Sequence, residues 1–112
     1  MTAYVIAQAE HRDGPEVRRY RELAQESVAR YGGRYLARGA LPEPLEGDWP
    51  ADRRLTVLAF PSREHARRWY ASPEYAAARA TRSDLAGRQL LCVADLDEAA
   101  ETPDPPEAGP AE

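Results

Sequence analysis

Arg53-Arg54-Leu55-Thr56-Val57-Leu58-Ala59-Phe60 is a run of β-branched, aliphatic and aromatic residues bounded on both sides by turn-forming residues. Its length and composition predict a strand. Leu55, Val57 and Ala59 fall on one face and Thr56, Leu58 and Phe60 on the other, so neither face is polar. Three further segments have strand character. Ala3 to Ala9 is a short apolar run containing Tyr4, Val5 and Ile6, Arg34 to Gly39 follows a glycine pair, and Arg88 to Asp95 carries Leu90, Leu91, Cys92 and Val93.

Two helical segments separate these strands. Asp13-Gly14-Pro15-Glu16 combines a capping acid or glycine, a proline whose missing N–H is harmless in a first turn, and a glutamate near the positive helix end. Val17, Tyr20, Ala24, Val28 and Tyr31 then recur at spacings of three and four, and Gly32-Gly33 stops the helix. Pro61-Ser62 opens a second helix bearing Ala66, Trp69 and Tyr70. Ser72-Pro73 breaks it, because the residue before proline is driven out of the helical region while Pro73 starts a new helix running to about Ser83, with Gly87 closing the segment. The order is βαββαβ: an α+β, ferredoxin-like arrangement with a four-stranded antiparallel sheet and two helices on one face.

Helices on one face leave the other apolar face uncovered, since Leu91 and Val93 alternate with Leu90 and Cys92 as the third strand's residues do. A second copy packing sheet to sheet about a two-fold axis is the expected cover, so a homodimer is predicted.

The whole chain has 112 residues, 15 of them basic and 19 acidic, for a net charge of −4. That charge is unevenly placed. Residues 97–112 contain six acids, no base and four prolines, whereas residues 1–96 contain 13 acids and all 15 basic residues, a net of +2. The expected organisation is one domain over 1–96 and a disordered acidic tail over 97–112. The near-neutral domain lacks the one-sided basic surplus of a nucleic-acid-binding protein, and every basic residue is arginine, which excludes a lysine Schiff base. No apolar run reaches membrane-span length, and the start has no charged leader, so a cytoplasmic protein is expected. The single cysteine, Cys92, excludes an internal disulfide and reads as a small buried residue. Motifs for nucleotide or redox cofactors are missing, and His11 with His65 lacks a spaced third ligand, so neither a cofactor nor a metal is predicted.

The segments Ala3-Tyr4-Val5-Ile6, Tyr31-Gly32-Gly33-Arg34-Tyr35-Leu36-Ala37-Arg38-Gly39, Glu46-Gly47-Asp48-Trp49, Phe60-Pro61-Ser62 and Trp69-Tyr70-Ala71-Ser72-Pro73-Glu74-Tyr75, followed by Arg82, resemble in order the family of domain of unknown function 1330, within the dimeric α+β barrel superfamily. The resemblance spans about residues 3 to 95. It implies a ferredoxin-like dimer among small cytoplasmic bacterial proteins, with no shared activity to carry over. More distant relatives in that superfamily include cofactor-independent monooxygenases, polyketide cyclases, muconolactone isomerase-type enzymes and haem-processing proteins, which are analogies of fold.

Candidate catalytic residues are Arg38, Glu46 and His65. Arg38 and Glu46 flank the start of the long loop over 41–52, where an arginine can hold an oxyanion bidentately and a glutamate in a partly buried cleft can serve as base. The alternative is that the two pair with each other and pin the loop. His65 is an acid/base candidate on a helix turn that is ordinarily solvated. Tyr35, Trp49, Trp69, Tyr75 and Arg82 form the candidate substrate-binding set, suited to a flat apolar ligand; Trp69 has core as its default, and Trp49 has a lid or interface role. The expected function is that of a cofactor-independent cyclase, isomerase or oxygenase acting on a polyketide-like or aromatic carbonyl substrate in secondary metabolism. The alternative is a non-catalytic dimeric small-molecule-binding or stress-associated protein.

Overall fold

The computed structural model describes residues 2–82 and 88–94. Its elements are β1 (Ala3–Glu10), α1 (Pro15–Arg30), β2 (Arg34–Ala40), β3 (Arg53–Phe60), α2 (Arg63–Tyr70), α3 (Pro73–Arg79) and β4 (Gln89–Ala94). The four strands form one antiparallel sheet in the order β2-β3-β1-β4, the order of a ferredoxin-like fold. The second helical segment is two helices, as the Ser72-Pro73 break predicts. The helix after that break ends at Arg79 and not near Ser83. The expected stop at Gly87, the strand end at Asp95 and the acidic tail lie outside the described residues.

Local chemistry sets each boundary. Gly14, at φ 127°, is the N-cap of α1 and Pro15 its first residue. Gly32 adopts φ +83°, which lets the Gly32 and Gly33 amides donate back to Ala29 and Val28 carbonyls at 3.1 and 2.9 Å. The Ser62 hydroxyl accepts from the His65 amide at 3.1 Å and caps α2. Ser72 caps α3 in the same way while donating to the Trp69 carbonyl at 2.7 Å, so one hydroxyl closes α2 and opens α3.

The core lies between the helices and the sheet face bearing Val5, Leu58 and Phe60. Ala24 and Val28 of α1, Ala66 and Trp69 of α2, and Tyr75 and Ala78 of α3 pack onto it. Within this core the Trp69 indole N–H donates to the Ser27 hydroxyl at 2.9 Å, and Ser27 donates to the Ala24 carbonyl at 2.7 Å. Register places Tyr4, Ile6, Leu55, Val57, Leu91 and Val93 on the opposite face. Leu91 is 56% and Val93 46% exposed, so among the described residues nothing fully covers this second apolar face.

Among the described residues no helix is long and apolar enough to cross a membrane.

Candidate functional site

A cavity of about 490 Å³ opens between the helix-facing side of the sheet and helices α1 and α3. Its floor is β1, where alternation directs Val5, Ala7 and Ala9 inward, and the two alanines leave room that larger residues would fill. Val17, Tyr20 and Ala24 of α1 form the roof. Arg38 and Tyr35 of β2, Arg54 and Thr56 of β3, Trp69, Tyr75, Arg82 and Arg88 complete the wall.

Arg38 reaches this cavity because β2 is irregular. Strict alternation after Tyr35 would turn Arg38 to the opposite face, but the β2–β3 register shifts between Tyr35 and Ala37, and the extra residue restores Arg38 to the helix side. There its guanidinium lies 4.5 Å from the Tyr35 ring centroid and donates to Gln25 at 2.7 Å and to the Arg21 carbonyl at 3.1 Å.

At the other flank, Tyr20 and Tyr75 share a 2.7 Å hydroxyl contact, and Arg88 donates to the Tyr75 oxygen. Arg82 and Arg88 both lie near the Tyr20 ring, at 5.0 and 5.1 Å. Burial pushes the Tyr75 hydroxyl far above the ordinary tyrosine range, the neighbouring Tyr20 adds to the rise, and the Arg88 charge opposes it. Burial likewise raises Tyr35 against the opposing charge of Arg38. Both phenols stay protonated at neutral pH. They are hydrogen-bond donors there, not bases.

Five of the eight sequence-derived candidates therefore meet around one cavity: Tyr35, Arg38, Trp69, Tyr75 and Arg82. The other three stand elsewhere in the single chain. Glu46 is exposed on the loop over 41–52, and Arg38 takes Gln25 and the Arg21 carbonyl as partners, so the two do not pair. His65 is held at the start of α2 by a 2.7 Å contact between its Nδ1 and the Ser62 hydroxyl. Trp49 is half-buried and donates to the Arg53 carbonyl at 2.8 Å, which anchors the loop to the start of β3.

Tyr20, Arg54 and Arg88 were not among those candidates. Tyr20 reads as part of an apolar helix stripe. Arg54 and Arg88 precede their strands' apolar runs and look like solvated strand ends, although both are in phase with the core-facing residues. Cys92 is exposed, contrary to the buried placement expected, because it lies on edge strand β4 beside a second depression lined by Ala66, Tyr70 and Arg79. Among the described residues no three His, Cys, Asp or Glu side chains cluster as metal ligands.

The family model described as Domain of unknown function (DUF1330) matches residues 2–96. Among solved structures, a protein of unknown function from Rhodopseudomonas palustris, RPA0582, aligns with TM-score 0.58 and 17% identity, covering 85% of this chain and 83% of that one. Rv0793 from Mycobacterium tuberculosis aligns with TM-score 0.52 and 20% identity over 89% of this chain and 100% of that one. A Nitrosomonas europaea protein provisionally named an antibiotic biosynthesis monooxygenase aligns with TM-score 0.52 and 16% identity, covering 85% and 90%. At these identities the likeness is one of fold. No curated protein matches the chain.

Proposed function

The chain belongs to the family described as Domain of unknown function (DUF1330), and we propose that it is a cofactor-independent small-molecule enzyme of cyclase, isomerase or oxygenase type. Its substrate would be a polyketide-like or aromatic carbonyl compound of secondary metabolism. One observation carries this reading: Tyr20, Tyr35, Tyr75, Trp69 and at least four arginines surround a single cavity. The rings fit a flat unsaturated skeleton, and the guanidiniums and neutral phenols fit negative charge developing on its oxygen.

In this reading Arg38 and Arg88 stabilise an enolate or carboxylate oxygen. Arg88 donates to the Tyr75 oxygen, which leaves the Tyr75 hydroxyl hydrogen free to donate to Tyr20, and the Tyr20 hydrogen free to donate into the cavity. Proton transfer falls to Glu10 and His11, which line the exposed mouth. Glu46 and His65 take part only if dimer formation brings them there from the partner. The homodimer belongs to the same proposal, with the open apolar face of the sheet as its interface, a domain spanning 1–96, an acidic tail that aids solubility, and a cytoplasmic location.

Native mass spectrometry of the purified protein tests the site directly. A retained small anionic compound, converted on incubation and converted at least about tenfold more slowly by Arg38→Met and Arg88→Met variants, is the expected result. Retention without conversion would replace the enzyme with the non-catalytic binding protein. Neither retention nor conversion would remove the small-molecule reading altogether.

A further inference from the structure

The cavity's charge is distributed across two flanks, and this distribution specifies its ligand more closely than the fold does. Across the sheet the order β2-β3-β1-β4 places Arg38 and Arg54 to one side of β1 and Arg88 to the other. Neighbouring strands are about 4.8 Å apart, so the backbones of β2 and β4 are separated by roughly 14 Å, and arginine side chains enter the intervening space from both sides. Between them β1 presents Ala7 and Ala9. Ala9 pairs with Arg54 of β3, and Ala7 with Leu90 of β4, so the small floor lies between the two cationic flanks.

The described residues offer these cations no counter-ion. Among the described residues no carboxylate pairs with Arg38, Arg54 or Arg88. Among the described residues the one acid lining the cavity, Glu10, is at its exposed mouth and engages Arg12 at 2.7 Å. Arg54 is the extreme case: its Nε is buried without a partner, and its Nη1 reaches only the Gly39 carbonyl, at 3.5 Å. Keeping the half-buried guanidiniums of Arg54 and Arg88 without carboxylate partners costs desolvation energy that an anionic ligand would recover. A single small anion cannot span both flanks.

Resting on the small-molecule reading above, we infer that the cavity takes a flat, elongated molecule with an acid group at each end, an aromatic or conjugated dicarboxylate. One carboxylate sits against Arg88 and the Tyr20–Tyr75 hydroxyl pair. The other sits against Arg54 and Arg38, with the Thr56 hydroxyl beside them, while the skeleton lies over Ala7 and Ala9 beneath Tyr20.

Isothermal titration of the full chain with terephthalate, benzoate and benzamide tests this. Terephthalate binds about tenfold or more tightly than benzoate, and benzamide binds weakest. Arg54→Met, which keeps the side chain's bulk and removes its charge, brings terephthalate to within about threefold of benzoate. Arg38→Met, at an exposed position, shifts the same ratio in the same direction. Equal affinity for terephthalate and benzoate overturns the two-ended ligand but leaves a small-molecule site. Equal affinity for all three removes charge recognition. Absence of binding by all three overturns the inference, and the native mass spectrum decides separately whether the small-molecule reading falls with it.

Discussion

The Tyr20 and Tyr75 hydroxyl oxygens lie 2.7 Å apart, joining α1 to α3 at the cavity wall, and Arg88 donates to the same Tyr75 oxygen. Tyr75 is 1% exposed, and its ring packs 4.3 Å from that of Trp69. Tyr75→Phe therefore keeps the packing and removes a hydroxyl that serves two neighbours. We expect a loss of about 1–3 kcal/mol in urea unfolding. Tyr20→Phe, at a half-buried position, should cost less. Equal stability of wild type and Tyr75→Phe would show that Arg88 and Tyr20 find water or each other without penalty.

The same hydroxyl makes stability fall at high pH. Tyr75 and Tyr35 have folded-state pKa values raised above the ordinary 10.0, chiefly by burial. The folded chain thus holds these protons more tightly than the unfolded chain does. Their contribution is complete below about pH 10 and is lost as the pH rises from there towards the folded values. The urea midpoint should drop above about pH 10, and Tyr75→Phe should make that drop shallower. A drop of identical slope in the variant would assign it to other groups.

Ser27 gives a second test of a buried polar pair. It is wholly buried, accepts the Trp69 indole N–H at 2.9 Å and joins α1 to α2 through the core. Ser27→Ala is nearly isosteric but strands that N–H away from water. The expected cost is about 1–3 kcal/mol, and thermal unfolding of Ser27→Ala against Ser27→Thr measures it. Threonine keeps the acceptor, so a shared hydroxyl effect appears as a milder loss in that variant.

The framework was legible wherever a local pattern had a local cause. Pro15, Gly32, Ser62 and the Ser72-Pro73 pair set their boundaries through their own backbones, and β3 runs from Arg53 to Phe60 as its composition predicts. The site was less legible because its residues come from register and packing. Arg38 turns inward through a shift in β2 pairing that no adjacent residue announces. Arg54 and Arg88 were readable in principle, since each is in phase with Leu58 or Leu90, but a charged residue at a strand end ordinarily marks solvent. Glu46, His65 and Trp49 were grouped with the cavity by residue type. Their positions depend on the path of the loop and the direction of α2, which local spacing does not encode.

Gly33 is required for close approach. A β-carbon there would come within 2.5 Å of the Phe60 ring, which is 1% exposed and packs 5.3 Å from Trp69. Gly33→Ala should cost about 1–3 kcal/mol through overpacking. The double variant Gly33→Ala with Phe60→Leu should lose less than the sum of the two single changes, since the smaller side chain relieves the clash. Strict additivity in a double-mutant cycle would show that the clash is not with Phe60.

The open face of the sheet lies on the side opposite the cavity. Leu91 and Val93 alternate with Leu90, so a change at Leu91 points away from the cavity floor and into the uncovered apolar face that carries Ile6 and Val57. If two copies bury that face, Leu91→Arg places two like charges near each other across a two-fold axis and desolvates both. Sedimentation should then show a dimer for the wild type and a monomer for Leu91→Arg at the same concentration. The variant's terephthalate affinity should stay within about threefold of wild type, because the residues proposed to hold the ligand lie on the other side of the sheet. A wild type that sediments as a monomer would refute the dimer. A dimer unaffected by Leu91→Arg would move the interface elsewhere, and a monomeric variant that also lost the ligand would mean that the cavity is completed across the interface.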